Sequence, residues 1–309
     1  MLQIKKYLKK IPLVRKLYYN YISTSFPKEV WIENTNVCNA NCVMCPREKL
    51  TRPFGFMKLS LFEKLIREIS EQKDAVERVH LHNYGEPLLD KELPVRIKLA
   101  KDYGIKHLYF VTNASLLVPE LAEKIISAGL DEFKISFYGV DKQSYNSTMK
   151  RLDFDTTTRN IKDFFLIRKK MNASKPKVVI QYLPQDNDDP QKMEHFRSIF
   201  SSLIDSEIGD SLNIFSLHNF GGGREFHKFG NRDITGICHY PWRTMIILHD
   251  GRVALCCLDF DGMQIAGDVT ENTIAQVWNG EEYSRIRNDF KKLRYDNYPA
   301  CMKCNIIRD

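Results

Sequence analysis

The chain has no uninterrupted apolar run of the length a membrane span needs. It is poor in the punctuating residues too, with 15 Gly and 12 Pro in 309 positions, which excludes collagen-like and low-complexity chains. Acid is missing from its start: residues 1–28 carry Lys5, Lys6, Lys9, Lys10, Arg15, Lys16 and Lys28 and no Asp or Glu. Those bases and Pro12 break up the apolar residues there, so there is no signal-peptide core, and the eight cysteines are expected in the reducing cytoplasm. A chain this long buries an ample core without disulfide staples. Its whole excess of +7 sits in the tail, because the rest carries 39 bases and 39 acids. No cationic face is left for nucleic acid.

Within the tail, Ile4, Tyr7, Leu8 and Ile11 follow helical spacing with lysines on the other side, and Val14, Leu17, Tyr18 and Tyr21 repeat it after Pro12. Two short amphipathic helices are expected within residues 1–29. Peripheral contact of residues 1–22 with an anionic membrane surface is one reading, and packing against the bottom of the next domain is the other.

From residue 30, extended segments alternate with helical ones. The strands are Val30–Asn34, Arg78–His82, His107–Thr112, Glu132–Phe137, Lys177–Leu183 and Ser211–Leu217, with helices at Ser60–Gln72, Pro94–Tyr103, Pro119–Ala128, Thr157–Met171 and Lys192–Leu203. The alternation predicts an α/β fold with a parallel sheet, either a barrel not fully closed or a doubly wound sheet, with functional groups where the strands end. After Gly221–Gly222–Gly223 the rhythm changes. Segments at Arg243–Leu248 and Arg252–Leu258 flank an Asp250–Gly251 hairpin signal, so residues 30–223 form one unit and a second module spans 224–309.

Cys38, Cys42 and Cys45 form C-x3-C-x2-C directly after the first strand. Three thiolates this close in a loop can converge on one centre, and three rather than four leave a cluster iron open for chemistry. Zinc with a distant fourth ligand, or unrelated buried thiols, are the alternatives that spacing alone leaves open.

With its neighbours, this motif resembles the radical SAM superfamily. Tyr84–Gly85–Glu86–Pro87 after the second strand is similar to the family's GGEP, Thr112–Asn113–Ala114 after the third to TNG, and Ile135–Ser136–Phe137–Tyr138–Gly139 at the fourth to ISIDG. The resemblance spans residues 30–220. It implies a partial (β/α)6 TIM-like barrel in which Cys38, Cys42 and Cys45 hold a [4Fe–4S] cluster that binds S-adenosyl-L-methionine. Gly85, Glu86, Pro87, Asn113 and Ser136 then fall among the cofactor contacts. Met44 replaces the usual aromatic residue before the last cysteine, and Tyr84 and Ala114 replace glycines. Arg151 and Lys150 are both candidates for the cofactor's carboxylate partner, and Arg151 is preferred because guanidinium binds carboxylate bidentately. Gln181 on the fifth strand is a candidate ribose contact.

Of the five remaining thiols, which include Cys257, the four of Cys238, Cys256, Cys301 and Cys304 are enough to close a centre completely. With Pro241–Trp242, the hairpin, Gly267 and Val277–Trp278–Asn279–Gly280 they resemble a small C-terminal auxiliary-cluster domain of the SPASM or twitch type. That implies a second [4Fe–4S] cluster, with structural zinc as the alternative. Cys256 and Cys257 read as neighbours on a strand that point to opposite faces. Cys256 is taken as ligand, leaving Cys257 as packing or as a hydrogen-atom donor.

The resemblance implies that a 5′-deoxyadenosyl radical abstracts a substrate hydrogen. A secondary alcohol of a sugar, aminocyclitol or glycan-like substrate is expected to become a ketone, the auxiliary cluster taking the second electron. Epimerisation with a Cys hydrogen donor and peptide modification are the alternatives. Only 29 residues precede the first strand, too few for the winged-helix peptide-recognition domain that many peptide-modifying relatives carry. Asp259 is the expected base, Arg224 a substrate clamp or proton acceptor, and a flavodoxin or ferredoxin the electron donor.

Overall fold

The computed structural model describes residues 18–19, 22–184, 190–214, 218–224 and 237–305. The expected tail helices lie almost wholly outside these. The described residues build one nine-stranded sheet, strung in the order β6-β5-β4-β3-β2-β1-β7-β8-β9. Strands β1 (Glu29–Ile32), β2 (Arg78–His80), β3 (Leu108–Thr112), β4 (Glu132–Ser136), β5 (Lys177–Tyr182) and β6 (Ser211–Ile214) are parallel neighbours. Strands β1 and β6 do not pair, so this is the open arrangement expected of a partial barrel.

Helices α1 (Leu59–Ser70), α2 (Leu93–Asp102), α3 (Pro119–Ala128), α5 (Phe154–Lys170) and α6 (Pro190–Phe200) fall close to the expected segments. An unanticipated α4 (Lys142–Thr148) precedes α5. Its sequence KQSYNST has little apolar periodicity, yet Asp141 and Ser144 form a capping box that satisfies its first N–H groups. Leu65, Ile66 and Ile69 on α1 and Ile125 on α3 are fully buried, as are Val30, Ile32, Val79, Phe133, Ile135 and Ile180 on the strands. Strand alternation sends Trp31, His80, Tyr109, Lys134 and Ser136 to the opposite face, which is therefore aromatic and polar.

The C-terminal strands continue the same sheet. Strand β7 (Thr244–Ile247) pairs parallel with β1, and β8 (Arg252–Ala254) and β9 (Ile265–Asp268) follow antiparallel through the Asp250–Gly251 turn. Gly251 sits at φ 95°, a left-handed conformation that glycine adopts without strain. Short helices α7 (Ile274–Trp278), α8 (Glu281–Lys291) and α9 (Pro299–Met302) complete this region.

Strand β8 is shorter than expected. It stops at Ala254, and Cys256 and Cys257 lie in the turn beyond it, so strand alternation does not determine where their thiols point. Asp259 holds that turn, its Oδ1 accepting from Met263 N–H and its Oδ2 from Gln264 N–H, both at 2.9 Å.

Candidate active site

The loop after β1 is shaped by its own polar groups. Thr35 Oγ1 donates to Gly55 O at 2.7 Å and accepts from Val37 N–H at 3.0 Å. Asn41 N–H and Val43 N–H donate to Lys150 O and Thr148 O at 2.9 and 3.0 Å. These bonds fix both edges of the C-x3-C-x2-C loop, and Cys38, Cys42 and Cys45 all line one cleft of about 180 Å³. Tyr84, Gly85, Glu86, Asn113 and Ser136 line the same cleft, so the second, third and fourth motifs meet the first as expected.

The motifs are also bound to one another. A Cβ on Gly85 would lie 2.1 Å from Thr35 O, so only glycine allows this loop to pack against the cysteine loop. Glu86 N–H donates to Val37 O at 2.8 Å. Pro87 opens a short 3-10 helix behind it. The Glu86 carboxylate turns away from solvent and accepts from Thr112 Oγ1 at 2.6 Å, Asn113 N–H at 2.8 Å and Leu88 N–H at 3.1 Å. Burial pushes its carboxyl up to about 7 against the pull of those donors. Asn113 Nδ2 donates to Asn39 Oδ1 at 3.0 Å, tying β3 to the cysteine loop. Ser136 Oγ accepts from Tyr138 Oη at 3.0 Å.

Beneath the loop lies an ion pair that sequence reading missed. Glu33 and Arg52 form a bidentate bridge at 2.5 and 2.6 Å, with their side chains 0% and 2% exposed. Arg52 Nε also reaches Phe260 O at 3.2 Å, linking the cysteine loop to the Asp259 turn. Two residues of the cleft wall were also missed. Met149 Sδ lies 3.5 Å from Cys42 Sγ, and His82 is 7% exposed with Nδ1 lacking any partner. His82 was signalled by the segment Val79–His80–Leu81–His82, whose alternation puts both imidazoles on one face.

Cys238, Cys256, Cys301 and Cys304 line a second, apolar cavity with Leu255, Leu258 and Phe290, and Cys257 is not among its walls. None of the eight cysteines is in a disulfide. Burial pushes Cys38 up to about 11 and raises Cys42, Cys45, Cys238 and Cys301 as well, so holding metal requires expelling protons from the thiols. Among the described residues no three His, Cys, Asp or Glu side chains are grouped to hold a single metal ion. Four thiols around one cavity are enough to close a centre completely, and thiolate ligands suit an iron–sulfur cluster or zinc.

Other expected residues are placed differently. Asp259 is 1% exposed and does not line the cleft, and both its oxygens are committed to the turn. Arg224 donates to Cys45 O at 2.7 Å through Nη2 and pairs with Glu48 at 2.8 Å, bracing the cysteine loop. Arg151, at φ 71°, is exposed beside Lys150, and Gln181 pairs in register with Ser136; neither lines the cleft.

Residues 32–193 match the radical SAM superfamily and residues 238–305 the SPASM iron-sulfur cluster-binding domain. The chain belongs to the radical SAM superfamily and carries a SPASM domain. It is 21% identical over 278 residues, 89% of its length and 92% of the relative's, to the S-adenosyl-L-methionine-dependent 2-deoxy-scyllo-inosamine dehydrogenase of Niallia circulans. A crystal structure of BtrN in complex with AdoMet and 2-DOIA superposes with a TM-score of 0.61 at 19% identity, covering 90% of this chain and 92% of that one. Streptococcus suis SuiB bound to S-adenosylmethionine gives a TM-score of 0.66 at 18% identity, covering 94% and 75%. These likenesses establish the partial barrel. Family membership brings S-adenosylmethionine and a [4Fe–4S] cluster as cofactors, and the SPASM domain brings auxiliary iron–sulfur binding. Among the described residues no helix is long and apolar enough to cross a membrane.

Proposed function

We propose that the protein oxidises a secondary alcohol of a sugar, aminocyclitol or glycan-like small molecule to a ketone. The observation that carries this reading is a hydrogen bond from the wall of the first cleft to the chain segment that supplies Cys256. Tyr84 lines the cleft, and its hydroxyl donates to the carbonyl of Cys257, next to Cys256, at 2.9 Å. An auxiliary cluster held by Cys256 would be linked to the cleft through this bond, and an electron acceptor is what an oxidation needs and an epimerisation does not. The likeness to a dehydrogenase of an aminocyclitol points the same way.

In this reading Cys38, Cys42 and Cys45 hold the first cluster, and Cys238, Cys256, Cys301 and Cys304 the auxiliary one. Gly85, Glu86, Asn113 and Ser136 place S-adenosylmethionine, Glu86 acting through β3 and its own backbone and Pro87 turning the chain behind them, whereas Arg151 and Gln181, outside the cleft, take no part in the site as it stands. When bound, these cofactors supply a hydrogen-atom acceptor in the cleft and an electron acceptor behind it. The protein must still remove the hydroxyl proton. Burial, with His80 and Lys134 nearby, holds His82 well below the usual histidine pKa, so its imidazole is neutral. Trp31 at 4.8 Å and Tyr109 at 5.4 Å fix the ring. His82 is the proton acceptor in the cleft, while Asp259 holds the turn after Cys257 and Arg224 braces the cysteine loop. The electron donor is a flavodoxin or ferredoxin.

Anaerobic turnover with 2-deoxy-scyllo-inosamine and a panel of cyclitols and sugars in heavy water tests this. One ketone per 5′-deoxyadenosine, with no recovered alcohol deuterated at the attacked carbon and turnover kept in Cys257→Ala, is expected. Deuterium there, together with loss of turnover in that variant, overturns oxidation in favour of epimerisation.

A further inference from the structure

Tyr84 stands where the family motif has glycine, and its side chain has a defined task. The ring is 8% exposed, lines the cofactor cleft and lies 6.3 Å from Phe220 and 6.2 Å from Phe260. Its backbone N–H points at Glu33 Oε1 at 3.4 Å, which seats the residue on the buried ion pair. Its hydroxyl donates to the carbonyl of Cys257 at 2.9 Å, a contact across 173 residues of chain. That carbonyl belongs to the same peptide unit as the N–H of Leu258, and Leu258 N–H donates to Cys256 Sγ at 3.4 Å. The four groups form one line from phenol to peptide oxygen to peptide N–H to sulfur.

Hydrogen bonds in series polarise one another, so a donor on the carbonyl makes the N–H of that peptide a better donor. A stronger N–H to a cluster-bound thiolate draws charge from the sulfur and favours the reduced cluster, because hydrogen bonding to sulfur is one of the settings of cluster potential. Burial holds the Tyr84 phenol well above its ordinary pKa, so it remains a neutral donor.

We infer that Tyr84 is a positioning residue of the auxiliary cluster, raising its reduction potential from the wall of the cofactor cleft through the Cys257–Leu258 peptide and the Cys256 sulfur. The inference rests on the proposed assignment of Cys256 as a ligand. It assigns Tyr84 a part in tuning electron acceptance, which the cofactor motif alone does not.

The test uses the full chain with Cys38, Cys42 and Cys45 replaced by Ala, reconstituted anaerobically so that only the auxiliary cluster is present. Its potential is read by spectroscopically monitored redox titration, which needs no substrate. Tyr84→Phe is expected to keep the cluster and shift its reduction equilibrium about threefold toward the oxidised form, roughly 30 mV more negative for a one-electron couple. Placing 3-fluorotyrosine at position 84, a stronger donor of nearly the same shape, is expected to move it the other way; this second substitution decides the matter where Tyr84→Phe does not hold its cluster. A cluster whose potential is unchanged by either substitution overturns the inference while leaving the ligand assignment in place. A parent protein that holds no cluster once Cys38, Cys42 and Cys45 are gone, or that keeps it equally in Cys256→Ala, overturns both.

Discussion

Replacing Glu33 by Gln probes the hinge between the cysteine loop and the auxiliary region. The substitution keeps size and leaves the Arg52 guanidinium, itself 2% exposed, facing a neutral amide. Breaking a buried pair by removing one charge costs about 3–5 kcal/mol. The pair's own titration gives a similar figure. Burial alone raises the Glu33 carboxyl, yet hydrogen bonds from His249 and Arg52 and the charge of Arg52 hold it at about 2 against an ordinary 4.5. At 1.36 kcal/mol per unit that gap is worth about 3 kcal/mol. Because the folded value is the lower one, this stability is fully present above about pH 4.5 and is lost as pH falls toward 2. Urea unfolding followed by tryptophan fluorescence is therefore expected to show Glu33→Gln about 3 kcal/mol less stable than wild type at pH 7, and the gap about 1 kcal/mol smaller at pH 4. A loss below about 1 kcal/mol at pH 7, or a gap that widens on acidification, would refute the reasoning.

Gly85→Ala places a methyl group 2.1 Å from a backbone oxygen that cannot yield without moving the cysteine loop, so it is expected to cost about 1–3 kcal/mol or more in stability and to weaken S-adenosylmethionine binding in calorimetry at least tenfold; unchanged affinity would remove that loop from the cofactor site. The double variant Cys301→Ala, Cys304→Ala is expected to lose about half of the reconstituted iron and all ketone formation while keeping substrate-free cleavage of S-adenosylmethionine, and equal iron content in the two proteins would move the auxiliary ligands elsewhere.

Much of the barrel was legible because its strands and helices follow two distinct periodicities, and because four short motifs sit at successive strand ends. Helix α4 escaped because it is specified by the Asp141–Ser144 cap rather than by an apolar face. The shortened β8 escaped for a similar reason: the run Arg252–Leu258 reads as extended, but Asp259 draws Met263 and Gln264 into a turn that no local propensity announces. Within the site, the cysteines declared themselves by spacing, whereas Glu33–Arg52 and Tyr84–Cys257 join residues 19 and 173 positions apart and exist only in the folded chain. The base was sought among carboxylates because Asp259 lies near Cys257 in sequence. The cleft instead offers the imidazole of His82, two residues past the end of β2 and packed against Trp31 and Tyr109.

The measurement that bears most directly on the whole account is metal, sulfide and cofactor-cleavage analysis of the anaerobically reconstituted protein beside a variant with Cys38, Cys42 and Cys45 all changed to Ala. About eight irons with matching labile sulfide per chain, falling by half in the variant together with complete loss of 5′-deoxyadenosine release, is the expected result. Zinc without labile sulfide in the wild-type protein, or cleavage that survives the triple substitution, would contradict it.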